Sequence, residues 1–351
     1  MNKKVVVGMS GGVDSSVAAY LLKEQGYEVI GVRMQFFHAK DTSVQKRETK
    51  DAKHVADMLG IPFYSIDFSD VFYKKVMENF AQEYCNARTP NPCVRCNRYV
   101  KWEALLQWAN KQGADYVATG HYAKIIKLPN GRYTVQASIV GGKDQSYALY
   151  GLTQEQLSHT LMPDGEYTKE KIREFAEKIN LDVSNKPDSQ EICFVPGKDY
   201  AKFIEEEMNM EIPPPGNFVN EDGVILGKHK GITHYTIGQR KKLNLAMGYP
   251  VFVSKIKKET NEVVISITGD VYSDRLLCNE INYMGMEELT EPRTVLAKIR
   301  YADKGTKCLL TKIGNDQIEC KFEKPVRAIT PGQAVVFYET DYILGGGTIL
   351  S

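Results

Sequence analysis

The residues best suited to chemistry form a Ser-Gly-Gly-Val-Asp-Ser turn at residues 10–15, directly after the apolar stretch 5–9. Glycines in such a turn let backbone N–H groups converge on an anion, and the start of the following helix adds partial positive charge. No Gly-Lys-Ser/Thr follows the turn, so it is not a Walker loop. The pattern predicts a phosphate-binding loop of another type, with Asp14 and Ser15 at the N-cap or in the first helical turn.

Three of the seven cysteines lie in polar loops where a thiol could react. Cys93 and Cys96 form a Cys-x-x-Cys pair in a loop that we expect two prolines to stiffen, and Cys193 lies in a second loop. The pair alone fits a redox pair, half of a metal site or a coincidence, but no second pair at zinc spacing accompanies it. Because Cys96 lies beside Arg95 and just before a predicted helix, we expect the pKa of its thiol to fall below about 8.5.

The elements that must position these residues alternate in type through the first half of the chain. Strands are predicted over residues 5–9, 28–34, 61–66 and 116–119, and helices over residues 16–25, 50–59, 102–111 and 169–178. This alternation predicts a parallel sheet covered by helices on both faces, with ligands at the carboxyl ends of the strands. The loops after three of the strands should therefore meet at one edge, where a nucleotide would lie.

Short strands replace this alternation after a Pro-Pro-Pro-Gly break at residues 213–216. Strands over residues 224–226, 251–256 and 263–267 predict a small β-rich middle domain. Strands over residues 295–300, 307–313, 317–322, 334–338 and 343–350 predict a small barrel. We expect three domains, with bounds at residues 1–205, 206–282 and 283–351.

Charge is balanced overall, with 45 Lys and Arg against 44 Asp and Glu, so any basic surface must be local. Between Lys228 and Lys258 the chain has eight Lys or Arg and no Asp or Glu, interleaved with Tyr235, Tyr249 and Phe252. Such a run is most often a solvated face. The complete lack of acids favours RNA, whose phosphates the cations neutralise and whose bases the rings stack on.

Neither a targeting segment nor an apolar run of membrane-spanning length is evident in the sequence. The chain opens with Met-Asn-Lys-Lys and passes directly into a predicted strand. We therefore expect a soluble cytoplasmic protein, in which the cysteines are thiols rather than a disulfide scaffold.

Several motifs occur in the order found in the tRNA-specific 2-thiouridylase family, the bacterial MnmA proteins and their mitochondrial relatives. They span residues 10–15, 89–97, 118–123, 143–147, 189–194, 231–241 and 300–301. The chain resembles this family over essentially its whole length. The resemblance implies a Rossmann-like PP-loop ATPase domain that carries the catalytic cysteines, followed by a β-rich middle domain and a C-terminal β-barrel that both bind tRNA.

The activity implied by the resemblance is ATP-dependent 2-thiolation of the wobble uridine of tRNA through an adenylated uridine. ATP, with Mg²⁺, would be held by Gly8, Met9, Ser10, Gly11, Gly12, Val13, Asp14, Ser15, Met34 and Gly120. The target base would lie against Asn91, Pro92 and Cys93. Contacts to tRNA would come from His121, Lys143, Asp144, Gln145, Arg300, Tyr301 and Gln333.

The resemblance also implies a sulfur route in which Cys193 carries a persulfide and Cys96 is the nucleophile. Cleavage of the Cys193 S–S bond by Cys96 would leave a disulfide for a reductant to reset. The sequence departs from one branch of the family at Cys93, where well-known members have Asp. The three thiols of Cys93, Cys96 and Cys193 could instead ligate a [4Fe–4S] cluster whose fourth iron binds sulfide.

Partners implied by the resemblance are the tRNAs for Lys, Glu and Gln, and a cysteine desulfurase or a persulfide relay protein as sulfur donor. Two other classes of function remain. Another adenylating PP-loop enzyme, such as an ammonia-fed amide ligase, would not need three thiols near ATP. A non-catalytic, redox-responsive RNA-binding protein is disfavoured by the intact loop and cysteine motifs. The polar segment 38–49 is predicted to be a loop near the ATP edge.

Overall fold

The computed structural model describes residues 3–37, 43–138, 143–181, 192–195, 197, 199–267 and 271–351. Within them the chain forms a five-stranded sheet, a four-stranded sheet and an eight-stranded sheet. No helix in these ranges is long and apolar enough to cross a membrane.

The first sheet is parallel throughout, as the alternation of strands and helices predicts. Its strands are β1 (Lys4–Gly8), β2 (Glu28–Gln35), β3 (Phe63–Asp67), β4 (Tyr116–Ala118) and β7 (Thr160–Leu161), in the spatial order β3-β2-β1-β4-β7. Val6 packs into one hydrophobic core, whereas Val5 and Val7 pack into another. Since adjacent side chains of a strand point to opposite faces, both faces of this sheet are covered.

Two helices of this domain begin earlier along the chain than the sequence predicts. The helices are α1 (Val13–Glu24), α2 (Ser43–Leu59), α3 (Ser69–Phe72), α4 (Glu78–Cys85), α5 (Pro92–Arg95), α6 (Leu105–Lys111), α7 (Gln154–Ser158), α8 (Lys169–Lys178) and α9 (Tyr200–Glu206). Residues 43–49 were expected in a loop but begin α2, and residues 38–42 lie outside the described ranges. One π-helical segment, Tyr73–Met77, joins α3 to α4, and another, Cys96–Ala104, joins α5 to α6.

The prediction that Cys96 precedes a helix is therefore wrong, because helical structure starts at Pro92 and is continuous through α6. Pro92 was expected to stiffen an extended loop. It instead occupies the start of the helix, where its fixed φ and missing N–H are well tolerated. Cys96 consequently lies in the second turn, with one helix face buried and the other open.

The middle sheet has the order β10-β11-β8-β9, formed by β8 (Gly216–Val219), β9 (Ile225–His229), β10 (Phe252–Lys257) and β11 (Glu262–Ser266). Its core contains Phe218, Ile232, Tyr235 and Val253. Of the aromatic residues expected to stack on bases, Tyr235 is buried in this core, and Phe252 is buried with Arg327 lying 4.9 Å from its ring centroid. Tyr249 is exposed, so only one of the three rings is open to stack on a base.

The C-terminal strands close into the predicted barrel. They are β12 (Tyr272–Tyr283), β13 (Arg293–Lys298), β14 (Thr306–Gly314), β15 (Gln317–Arg327), β16 (Ala334–Glu339) and β17 (Tyr342–Ile349), and β12 pairs with both β15 and β17. A hairpin of β5 (Ala123–Lys127) and β6 (Tyr133–Ala137) joins the same sheet through β17. The expected domain boundary between residues 282 and 283 falls inside β12, and we propose that it lies before Tyr272.

Candidate active site

The phosphate loop lies at the carboxyl end of β1 and passes directly into α1. The Ser10 N–H donates a hydrogen bond to Ser15 Oγ at 3.0 Å, and the Ser16 hydroxyl donates to the Gly12 carbonyl at 2.8 Å. Gly11 has a φ of 78°, and a Cβ there would lie 2.5 Å from the backbone oxygen of Glu48 in α2. Glycine is therefore required at this turn, both for its conformation and for the close approach of α2.

Residues from two other strands meet this loop. Gly120 follows β4, and a Cβ on it would lie 2.6 Å from the Asp14 carbonyl carbon and 2.7 Å from the Ser15 nitrogen. A Cβ on Gly8 would lie 2.8 Å from the methyl group of Met34, which is in β2. The structure thus brings together at one sheet edge the loop, Met34 and Gly120, which were singled out separately from the sequence.

Asp14 is held by two residues that the sequence did not indicate. The Tyr122 hydroxyl donates to Asp14 Oδ1 at 2.7 Å, and Lys169 Nζ lies 2.5 Å from the same oxygen. Nearby Asp164 is fully buried, and neither of its carboxylate oxygens has a hydrogen-bond partner. Burial and then the charge of Asp14 raise the pKa of Asp164 well above its usual value, against the opposing effect of Lys169.

The three thiols singled out from the sequence lie in one neighbourhood. Cys93 and Cys193 are exposed, whereas Cys96 is buried in a cluster that includes Phe194. Phe194 packs edge-on against Phe72 and Phe80, with ring centroids 5.5 and 5.2 Å apart. This packing holds Cys193 beside the Cys96 helix. Of the motif at residues 189–194, residues 189–191 lie outside the described ranges.

The expectation that the Cys96 pKa is lowered is wrong. Burial raises the pKa of Cys96 to about 12, with Lys101 opposing this effect and Cys193 and Cys93 adding to it. Arg95, expected to lower this pKa, instead donates from its Nε to the Lys75 carbonyl at 2.8 Å and lines the open face of the helix. Desolvation of the thiol and then Cys93 likewise raise the pKa of Cys193 to about 11, although part of that residue is open to solvent.

Cys93, Cys96 and Cys193 as positioned do not fit an iron–sulfur cluster. Among the described residues, which include all three cysteines, no group of three or more Cys, His, Asp or Glu side chains is arranged to hold a metal ion. We therefore derive no step through a cluster.

The C-terminal barrel holds the loop that precedes Cys93. Gln333 Nε2 donates to the carbonyl oxygens of Thr89 and Pro90 at 2.9 and 3.2 Å, and the Thr89 N–H donates to the Pro331 carbonyl at 2.8 Å. Asn91 follows directly and lies near the buried Tyr147, whose hydroxyl donates to the Ala334 carbonyl of the barrel at 2.8 Å. The Gln333 side chain, expected to contact tRNA, here fixes the position of the expected target-base loop.

The other expected tRNA contacts divide into residues used inside the protein and residues open to solvent. Asp144 accepts hydrogen bonds from the Ser146 N–H and hydroxyl at 3.0 and 2.9 Å, and Gln145 Oε1 accepts from the Tyr122 N–H at 2.9 Å. Lys143 is partly exposed. Arg300 and Tyr301 are exposed, and the Tyr301 ring lies edge-on to a buried tyrosine.

His121, another expected tRNA contact, follows β4. Its Nδ1 lies 2.7 Å from Thr119 Oγ1, and its ring packs on Trp102 with centroids 5.4 Å apart. Burial, and secondarily Lys101, lowers the pKa of His121 well below its usual value. The imidazole is therefore neutral at physiological pH. The charge of Lys101 also acts to lower the pKa values of Cys96 and Cys193.

Comparison with known proteins places these features in a family context. Family models match residues 3–197 (tRNA methyl transferase HUP domain), 201–267 (tRNA methyl transferase PRC-barrel domain) and 273–349 (aminomethyltransferase beta-barrel domain). The chain is 56% identical to the tRNA-specific 2-thiouridylase MnmA of Lachnoclostridium phytofermentans, over 99% of both chains. It is 52% identical to that of Clostridium perfringens over 99% of both chains. It is 50% identical to that of Clostridium acetobutylicum over 99% of this chain and 100% of the relative.

Proposed function

The chain belongs to the tRNA-specific 2-thiouridylase family, and from that premise we propose that it catalyses ATP-dependent 2-thiolation of the wobble uridine of tRNA. The observation that carries the proposal is identity of 50–56% to thiouridylases over essentially the full length. A phosphate loop beside a group of three thiols supports it. Transfer of a methyl group to tRNA, which the descriptions of two of the family models mention, would require neither feature.

The first chemical step would be adenylation. The C2 oxygen of the uridine attacks the α-phosphate of ATP, the bond to the β-phosphate breaks, and pyrophosphate leaves. The N–H groups around Gly11 and Gly12 and the start of α1 would bind the phosphates, with Mg²⁺ accompanying the nucleotide. Adenylation makes the C2 oxygen a good leaving group, because it now departs as part of AMP.

The second step would transfer sulfur from Cys193. The terminal sulfur of a Cys193 persulfide attacks C2, and AMP leaves with the former C2 oxygen. The Cys96 thiolate then attacks Cys193 Sγ, and the electron pair of the broken S–S bond goes to the sulfur on C2. The products are 2-thiouridine and a Cys96–Cys193 disulfide, which a dithiol must reduce before the next turnover.

The exposures of the two thiols support this division of roles. Cys193 is exposed, which suits a carrier that must receive sulfur from a separate protein, and a cysteine desulfurase or a persulfide relay protein would be the donor. Cys96 is buried, which keeps it from solvent oxidants while it waits to resolve the mixed disulfide. The tRNAs for Lys, Glu and Gln are the substrates that we propose.

Pyrophosphate release and 2-thiouridine formation, measured together, test the proposal. We expect pyrophosphate release to depend on unmodified tRNA, and Cys193→Ser to abolish thiolation while leaving tRNA binding intact. Cys85→Ser is the matched control, because Cys85 is partly buried and the thiol pair of the reaction does not include it. Full thiolation by the Cys193→Ser variant would contradict the sulfur-carrier role. Iron and sulfide in stoichiometric amounts after anaerobic purification would contradict the persulfide route.

A further inference from the structure

A polar cleft separates the Cys93–Cys96 helix from the C-terminal barrel. Its volume is about 550 Å³. One wall is the open face of the helix, with Asn91, Arg95 and Arg98, and the opposite wall is the barrel, with Glu280 and Asp316. Cys96 lies on the buried face of the same helix. The cleft therefore lies outside the ATP-binding edge and the thiol group described above.

The acidic side chains of the cleft already have partners. Glu83 pairs with Arg88, with Oε2 and Nε 2.7 Å apart. Asp316 accepts two backbone N–H groups of β12 at 2.9 and 2.8 Å. The Glu280 carboxylate accepts the Thr348 hydroxyl at 2.9 Å. None of these acids neutralises the arginines of the helix.

Three cations surround one aromatic ring on the helix side of the cleft. The side chains of Lys75, Arg95 and Arg98 lie 5.2, 5.1 and 5.2 Å from the centroid of the Tyr99 ring. Arg95 donates one hydrogen bond to the Lys75 carbonyl. In the part of the chain that the structure describes, neither Arg95 nor Arg98 makes an ion pair. Of these three cations, Arg95 and Arg98 line the cleft, and their guanidinium groups leave charged N–H donors facing it.

The barrel wall is held in a conformation that costs energy. Glu280 has a φ of 51°, and β12 bulges between Asn279 and Asn282. The two N–H groups that Asp316 accepts fix this bulge. Non-glycine residues in such a conformation persist only where their surroundings enforce it, and they concentrate at binding sites.

We propose that this cleft binds the RNA strand next to the target uridine, with Arg95 and Arg98 contacting its backbone phosphates. The inference rests on the proposed function, because it takes tRNA as the substrate. Asn91, which is expected to lie against the target base, lines the same cleft as Arg95 and Arg98. A uridine held beside Asn91 thus places its neighbouring phosphates within reach of the two guanidinium groups. Their planar donor arrays suit phosphate oxygens.

The decisive variant is Arg95→Ala/Arg98→Ala, with Lys111→Ala/Lys178→Ala as the charge-matched control. Both control lysines are exposed at the ends of α6 and α8, at the sheet edge opposite the phosphate loop. We expect tRNA affinity to fall about 10- to 100-fold in the arginine variant. The slope of log affinity against log salt should fall by about 1.4, since each single-strand phosphate contact contributes about 0.7. The control should match the wild type.

Replacing one charged phosphate of the RNA with a neutral methylphosphonate identifies the RNA group that the arginines contact. An anticodon stem-loop with one methylphosphonate beside the target uridine should bind the wild type more weakly, by about tenfold. It should cause no further loss in the arginine variant, since the interaction partner is already missing. Additive losses would overturn the proposal, as would an arginine variant that binds tRNA like the control.

Two further measurements keep the outcomes separate. If the double variant unfolds early in thermal denaturation, Arg98→Gln replaces it, and Arg98→Lys should restore part of the affinity. Wild-type thiolation combined with unchanged tRNA binding by the arginine variant would refute this inference and leave the proposed function standing. A variant that binds tRNA normally but no longer accepts sulfur from its donor would show that the cleft docks the donor protein, which also overturns the proposal.

Discussion

Replacing Gly120 with alanine should impair ATP use by displacing the phosphate loop. The new Cβ would lie 2.6 Å from the carbonyl carbon of Asp14 and 2.7 Å from the nitrogen of Ser15. Both are backbone atoms where the phosphate loop enters α1, so no side-chain rotation relieves the clash. Ordinary contact begins at 3.4 Å, and the two segments must therefore move apart by about 0.8 Å.

A displacement of this size has a large expected effect on the reaction and a smaller one on stability. Misplacing a reacting group by about 1 Å costs up to roughly 100-fold in rate. We expect kcat/KM for ATP in tRNA-dependent pyrophosphate release to fall 10- to 100-fold, on the order of this limit. Overpacking should reduce the free energy of unfolding by about 1–3 kcal/mol. The variant should remain folded and retain its affinity for tRNA.

Gly314→Ala is the control for Gly120→Ala. A Cβ at Gly314, in the β14–β15 hairpin, would have its nearest neighbour 3.8 Å away, which is ordinary van der Waals contact. Pyrophosphate release is measured for both variants across ATP concentrations, together with thermal unfolding. Equal kcat/KM values for the two variants, within twofold, would refute the view that Gly120 fixes the phosphate loop.

Three further predictions concern buried groups. Burial raises the pKa of Asp164 in the folded protein. The contribution of this carboxyl group to the free energy of unfolding is therefore fully present below about pH 4 and is lost as pH rises. Asp164→Asn should therefore raise the melting temperature at pH 7–8, with a gain that shrinks toward pH 4, and a gain independent of pH would contradict this. Because the pKa of Cys96 is raised to about 12, Cys96-dependent release of 2-thiouridine should speed up roughly tenfold per pH unit between pH 7 and 9. Rapid-quench assays on persulfide-loaded protein would measure it, and a flat profile would show that another step limits. Gln333→Ala removes two hydrogen bonds to the Thr89–Pro90 carbonyls. It should lower kcat for thiolation about tenfold with little change in ATP affinity, whereas equal losses in both would indicate general unfolding.

The sheet and its ligand edge could be predicted from the sequence because local patterns encode them. The apolar run that leads into the Ser-Gly-Gly turn at residues 10–12 specifies a strand and a turn by itself. Its neighbours in the sheet follow from the repeated alternation of strands with helices. Five of the six barrel strands likewise follow from short apolar runs separated by turn residues, with bounds that differ from the structure by a few residues, whereas β12 was not predicted.

Contacts between distant segments could not be predicted in this way. Asp14 and Lys169 are 155 residues apart in the chain, and nothing near either residue indicates their pairing. Cys96 shows the same limit at shorter range. Its neighbour Arg95 and the predicted helix after it suggested a thiol with a lowered pKa, but the aromatic cluster that buries it comes from α3, α4 and Phe194. The pKa of a group depends on that burial, which sequence neighbours do not show.

The central claim is that this chain activates the wobble uridine with ATP and replaces its C2 oxygen with sulfur carried by Cys193. The most direct measurement is mass spectrometry of nucleosides from an unmodified tRNA incubated with the purified protein, ATP and a persulfide donor. We predict 2-thiouridine at the wobble position, dependent on ATP and abolished by Cys193→Ser but not by Cys85→Ser. Absence of 2-thiouridine with the wild-type protein, despite tRNA-dependent pyrophosphate release, would contradict the claim.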